Sequence, residues 1–215
     1  MHRYASRRLA FCLFSFAAAA GAGATGVAVQ VQDAGGKVLP NTVIYIEPEG
    51  GAAPGVKTQA AAEIEQKGLK FLPLVTVVQT GAKINFPNND KVRHHIYSFS
   101  PAHKFDQKLY SGQSATPQVF DKAGTVVLGC NIHDKMLAYV KVVDTPWFAK
   151  TDGAGAARVE LPAAGKYVVK AWHYNTVGGA TPEQVLTVKA GEQLTTAVFK
   201  LPMKPPAADD ASTNL

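Results

Sequence analysis

Apolar residues in this chain recur in short runs, continuous or alternating with polar ones, and sustained helical periodicity is scarce. Val27, Val29 and Val31 alternate with Ala28 and Gln30 before Asp33-Ala34-Gly35-Gly36 turns the chain. Val43-Ile44-Tyr45-Ile46 reads as the next strand, and a Gly/Pro/Ala-rich connection follows from Pro48 to Val56. Residues 60–66 fit either a helical turn or a passage into a strand. Leu74 to Val78, Ile84 to Phe86, Val92 to Phe99, Thr125 to Cys130 and Leu137 to Val143 predict further strands. So do Arg158 to Leu161, Tyr167 to His173, Gln184 to Val188 and Thr195 to Leu201. Short strands spaced by Gly and Pro turns predict an all-β fold, a sandwich or barrel. Residues 203–215, with Pro205, Pro206 and Asp209-Asp210, read as a disordered tail.

The first 24 residues follow another pattern. Arg3, Arg7 and Arg8 precede an apolar stretch from Leu9 to Ala20, and Ala20-Gly21-Ala22 and Ala22-Gly23-Ala24 supply small residues for cleavage. That is the anatomy of a secretory signal peptide. The apolar run is about a dozen residues, short of the ~20 needed to span a bilayer, and no later segment is long enough to span one. A lipid-modified cysteine is disfavoured because Phe11 precedes Cys12 where a small residue is wanted. The expectation is a soluble bacterial protein of the periplasm.

Composition narrows the classes further. With 215 residues, 47% hydrophobic and 18% charged, the chain is excluded from the disordered polymers. Its formal charge of +6 invites a nucleic-acid partner. Without Arg3, Arg7 and Arg8, however, 19 basic residues face 16 acidic ones, a net of +3 with no dense basic stripe. No nucleic-acid partner is expected.

Export changes the meaning of the cysteines. Cys12 leaves with the signal, so Cys130 is a lone thiol in an oxidising compartment, with no internal disulfide partner. Cys130, His133 and Met136 stand at three-residue intervals between two predicted strands. Val126, Leu128 and Cys130 share one strand face, so the thiol ends its strand pointing inward. A soft thiolate, a borderline imidazole and a weak thioether on one loop suit copper better than zinc or calcium. A trigonal site needs a second imidazole, and Asn88-Asn89-Asp90-Lys91-Val92-Arg93-His94-His95 offers two. Pleat parity does not choose between them: Val92, His94 and Ile96 share one face, His95, Tyr97 and Phe99 the other. No Cys-x-x-Cys-His is present, which excludes attached haem. A hydrolytic Cys-His pair would leave Met136 without a role and lacks a Gly-rich oxyanion loop, so an enzyme is not expected.

From about Ile64 to Val143 the chain resembles the cupredoxins, the blue-copper proteins. The Cys130-x-x-His133-x-x-Met136 spacing is similar to amicyanin, and Asn88-x-Asp90-x-x-x-His94 resembles the loop that delivers the first histidine ligand. Phe86-Pro87-Asn88, His94 to Pro101 and Leu128 to Met136 resemble, more narrowly, a secreted bacterial family labelled "methylamine utilization protein". The chain departs from the cupredoxin pattern at Arg93, where Pro is common, and at His95, where Asn is common. The resemblance implies a Greek-key cupredoxin β-sandwich holding one type 1 copper ion on His94, Cys130, His133 and Met136. It implies single-electron transfer with a redox protein such as a cytochrome or dehydrogenase, His133 being the exit. Copper storage, delivery or sensing without electron transfer is the alternative.

The flanks carry a second resemblance. Gly26 to Asn41 resembles the opening of carboxypeptidase-regulatory-like, transthyretin-type (Ig-like) β-sandwiches, and the continuation reappears only at Thr151-Asp152-Gly153-Ala154-Gly155 and beyond. Neither flank has enough strands to bury two faces alone. The expected organisation is a discontinuous sandwich, 26–50 with 146–202, into which a copper module at 60–145 is inserted. The rival is a sequential arrangement in which 26–47 supplies the first strands of the copper module.

Overall fold

The computed structural model describes residues 25–51, 61–110, 116–191 and 194–205. The expected signal at 1–24 lies outside them, as does the chain from 206 on. Among the described residues the elements are strands, with one short 3-10 turn at Val177–Gly179. The fold is all-β.

In chain order the strands begin with β1 (Gly26–Asp33), β2 (Val43–Pro48), β3 (Ala61–Glu63), β4 (Glu65–Gln66), β5 (Phe71–Leu72) and β6 (Val75–Gln79). Then come β7 (Ala82–Asn85), β8 (His94–Ser98), β9 (Phe105–Tyr110), β10 (Gln118–Phe120), β11 (Gly124–Cys130) and β12 (Leu137–Val143). The last are β13 (Phe148–Lys150), β14 (Ala156–Glu160), β15 (Gly165–Trp172), β16 (Glu183–Val188) and β17 (Thr195–Leu201).

The strands group into two cores. β1 lies between β14, antiparallel, and β17, parallel, with Val29 opposite Ala157 on one side and Ala197 on the other. A second sheet runs β13-β2-β15-β16. The alternating valines of β1 pack with Ile44 and Ile46 of β2, Val169 of β15 and Phe199 of β17 in one buried cluster. That sandwich is therefore made from both ends of the described chain.

The middle of the chain forms the other core. Its larger sheet runs β6-β12-β11-β8-β9 and its smaller one β10-β7-β3, while β4 and β5 form a separate two-stranded hairpin. Ile84 of β7, Ile96 of β8, Phe120 of β10, Val126 and Leu128 of β11 and Val140 of β12 meet in this core, joined by Ile64, Phe71 and Phe86.

A third, smaller cluster ties the two together. Val43, Val75 and Trp172 are buried against one another, with Tyr45, Tyr139 and Tyr174 packed beside them. Tyr139 and Tyr174 stack at 4.7 Å, and the Lys150 ammonium donates to the Val75 carbonyl at 2.8 Å. The Lys141 ammonium lies 5.4 Å from the Tyr45 ring and 5.5 Å from the Trp172 ring. Burial, and then the nearby Lys170 charge, push its pKa below the ordinary lysine value, with Glu47 opposing.

Several sequence expectations shift. The ambiguous stretch 60–66 holds the short strands β3 and β4 and no helical turn among its described residues. β8 starts at His94 rather than Val92, because Val92 is exposed in a bend where its carbonyl accepts from the Asn88 side chain. β9 was not expected: it carries Gln107 at a buried position, so polar residues fall on both faces and hide the period. Met203 and Lys204, expected in a disordered tail, instead belong to the fold. Met203 bridges to Thr176, and the Lys204 amide donates to Asn175 at 3.0 Å.

Candidate metal centre

β11 carries the thiol to its position by simple alternation. Val126, Leu128 and Cys130 all point into the core, and Cys130 is 3% exposed. Beyond it the chain turns back: the Asn131 amide donates to the His95 carbonyl at 3.3 Å, and the Met136 amide to the His133 carbonyl at 2.9 Å. This turn leaves His133 half-buried beside the thiol, while Ile132 on the same loop is exposed. Met136, 1% exposed, enters the same apolar cluster as Cys130 just ahead of β12.

β8 supplies the second ring. It is flanked by β9 and β11, with Ile96 opposite Cys130 and Tyr97 opposite Gly129. That register turns His94 and Ile96 inward, both fully buried, and leaves His95 on the other face, where it pairs with Asp106.

The donor atoms converge. Cys130 Sγ lies 3.8 Å from His94 Nδ1 and 3.6 Å from His133 Nδ1, and all three donor atoms lie within 4.8 Å of one another. Among the described residues no other group of three His, Cys, Asp or Glu gathers in this way. The spacing suits one metal ion. Bonds of ~2.3 Å to sulfur and ~2.0 Å to nitrogen at tetrahedral to trigonal angles separate S from N by about 3.5–3.7 Å.

The outer nitrogen of His94 is also fixed. Its Nε2 lies 2.7 Å from Asp90 Oδ2. Burial alone would raise the pKa of Asp90, but hydrogen bonds from the Leu69 amide, the His94 ring and the Gly68 amide outweigh it. They hold the carboxyl below its ordinary value. An ionised Asp90 can only accept, so Nε2 is the donor of the His94 ring, and Nδ1 is the nitrogen that faces the thiol. In the sequence Asp90 stands out only as part of the loop pattern ahead of His94. Its contact with His94 four residues on depends on how the loop closes, which no periodicity shows.

The remaining histidines stand apart. His103 is half-buried and packs its ring 5.2 Å from Phe105 and 4.6 Å from Phe120. His173 is buried, accepts at Nδ1 from the Asn175 amide at 3.1 Å and stacks on Tyr174. Burial pushes its pKa below the usual histidine value, against a raising hydrogen bond to the Pro40 backbone.

No family model matches the chain, and no curated protein matches it. Solved structures do. Amicyanin from Paracoccus versutus (Thiobacillus versutus) is 18% identical with a TM-score of 0.36, over 46% of this chain and 97% of its own. A purple cupredoxin from Nitrosopumilus maritimus is 21% identical with a TM-score of 0.34, over 39% of this chain and 99% of its own. The Cu-containing nitrite reductase from Thermus scotoductus SA-01 is 21% identical with a TM-score of 0.37, over 44% of this chain and 24% of its own. These are partial likenesses at low identity, and the metal reading stands on the donor geometry instead.

Proposed function

We propose that this chain is a periplasmic blue-copper protein of the cupredoxin kind. In this reading it is no enzyme, but passes single electrons between redox partners such as a cytochrome and a dehydrogenase. The observation that supports it is one buried thiol facing the Nδ1 atoms of two histidines at 3.6 and 3.8 Å. His94, Cys130 and His133 would hold one copper ion, with Met136 as the weak fourth donor. The single thiolate and the neighbouring thioether are what favour copper over zinc at this spacing.

Bound there, copper supplies a one-electron couple between Cu(II) and Cu(I). The chain's own part is to keep the donors still. Cys130 ends a core strand, His94 is held from behind by Asp90, and Met136 is packed in the apolar cluster. A donor set that need not move between oxidation states keeps the reorganisation cost of electron exchange small. His133 is the donor with partial exposure, and the exposed Ile132 beside it offers an apolar contact for a partner. The signal-like residues 1–24 support export, and the likeness to the "methylamine utilization protein" family belongs to the same proposal.

The test is to purify the mature protein, add Cu(II), and record its visible and electron-paramagnetic-resonance spectra. An intense thiolate-to-copper band with reversible redox is expected. A colourless site that takes only Cu(I) would favour copper delivery or storage, and no binding of either ion would refute both.

A further inference from the structure

The hairpin of β4 and β5 is far in sequence from every metal donor except His94, yet it touches the site through Asp90. Its turn has Gly68 and Leu69 both in the left-handed region, at φ 62° and 59°. Lys67 and Lys70 close it by exchanging backbone hydrogen bonds of 3.0 and 3.3 Å. This is the two-residue turn in which both central residues need positive φ. Leu69 adopts it against steric preference although the residue is 49% exposed, so core packing does not account for the strain. What the conformation does achieve is to aim two successive amides at one carboxylate. Gly68 N donates to Asp90 Oδ1 at 2.6 Å, and Leu69 N to Oδ2 at 3.1 Å. Oδ2 is the same oxygen that receives His94 Nε2.

The hairpin is anchored well enough to act as a support. Phe71 of β5, and Ile64 just ahead of β4, are buried in the core that holds Cys130. The Gln66 amide donates to the Pro87 carbonyl at 2.8 Å, and the Asn89 amide returns a bond to Gln66 at 2.9 Å. The Asn89 side chain also donates to Glu65 at 2.8 Å. The loop leading to His94 is thus stitched to β4 on both sides of Asn88.

We propose that the Lys67–Lys70 turn is a positioning device for the metal centre: its two left-handed amides hold Asp90, and Asp90 holds the His94 ring. The effect on copper rests on the copper reading above; the effect on His94 does not. Positioning by an outer carboxylate of this sort changes metal affinity about 10–100-fold. A negative charge behind one donor also favours the more highly charged Cu(II) over Cu(I), so its loss raises the reduction potential. A tenfold loss confined to Cu(II) corresponds to about 59 mV upward for a one-electron couple.

The test uses Asp90→Asn, Gly68→Val and Gly68→Asn. Apart from its two chain neighbours, no atom lies within 4 Å of a Cβ built on Gly68, so a substitution there chiefly challenges the backbone conformation. Asn tolerates the left-handed region and Val does not. In the apoprotein, the His94 Nε2 proton is followed by nitrogen-15 NMR. We expect it to exchange at least tenfold faster in Asp90→Asn and Gly68→Val, and as in wild type in Gly68→Asn. With Cu(II), the first two should bind about tenfold more weakly, Asp90→Asn also at a raised potential because the charge is lost, and Gly68→Asn should match wild type. Equal behaviour of Gly68→Val and Gly68→Asn, whether both intact or both impaired, overturns the proposal. So does an unchanged His94 proton in Asp90→Asn, which is isosteric and carries the test should Gly68→Val not fold. The apoprotein measurement needs no metal, so a wild type that fails to take Cu(II) counts against the copper reading alone.

Discussion

Leu128→Ala tests whether the face of β11 that carries Cys130 is the load of the central core. Leu128 is fully buried, two residues before the thiol and on its side of the strand, with Val126, Val140 and Phe120 in the same cluster. The substitution removes three carbons, worth about 2.4 kcal/mol at ~0.8 kcal/mol each. A cavity left between two sheets that cannot collapse freely adds up to about 2 kcal/mol. The expected loss is therefore about 2.5–4.5 kcal/mol. Val127 next to it faces outward and is 38% exposed, so Val127→Ala should cost about 1 kcal/mol or less. The assay is urea unfolding of the apoprotein, in which a 3 kcal/mol loss moves the midpoint by about 1–2 M. Far-UV circular dichroism must be the probe. The two tryptophans, Trp147 and Trp172, sit against the sandwich core and the joining cluster, so fluorescence would report those and miss the central core. Equal losses for Leu128→Ala and Val127→Ala would mean that β11 presents the other face inward, and the position of Cys130 would go with it.

Other outcomes follow from the same geometry. Cys130→Ser should abolish the visible copper band, because a hydroxyl does not replace the thiolate; a retained band refutes the blue-copper reading. His94→Ala should weaken copper at least 100-fold and His95→Ala less than threefold, in order-of-magnitude terms for losing a donor against an outward ring, read by competition titration; the reverse order would move the ligand to His95. Met136→Leu should keep the metal and raise the potential, measured by voltammetry, since a donor that favours Cu(II) is lost. His173 gives a pH effect whose sign is set by its lowered pKa. The fold prefers the neutral ring, so its contribution is complete above the ordinary value of 6.5 and is lost as pH falls from there through the lowered folded value. Melting temperature should drop over that range, more steeply in wild type than in His173→Gln; parallel curves would show that His173 is not responsible.

Much of this protein is readable along the chain. Strands such as β12 and β17 are found within a residue of their observed bounds, because each buries one face and period-two alternation survives in its sequence. The inward thiol follows from the same alternation, and the three-residue spacing of Cys130, His133 and Met136 is itself a statement about chemistry. Where alternation carries no contrast, the sequence is silent. β9 places Gln107 inside, and the stretch from Val92 to Phe99 is apolar on both faces, so alternation does not choose His94 over His95; the loop pattern from Asn88 points to His94, and the register of β8 against β11 turns it inward. Which strands become neighbours is likewise invisible locally: β1 pairs with β14 and β17, more than 120 residues away, and only the closing of a shared core selects those partners. Asp90 and the turn at Gly68 and Leu69 are the sharpest case. Backbone amides carry no side-chain signature, so an anion held by a turn across the fold leaves no pattern in sequence, and it exists only once the hairpin and the His94 loop have been packed onto one core.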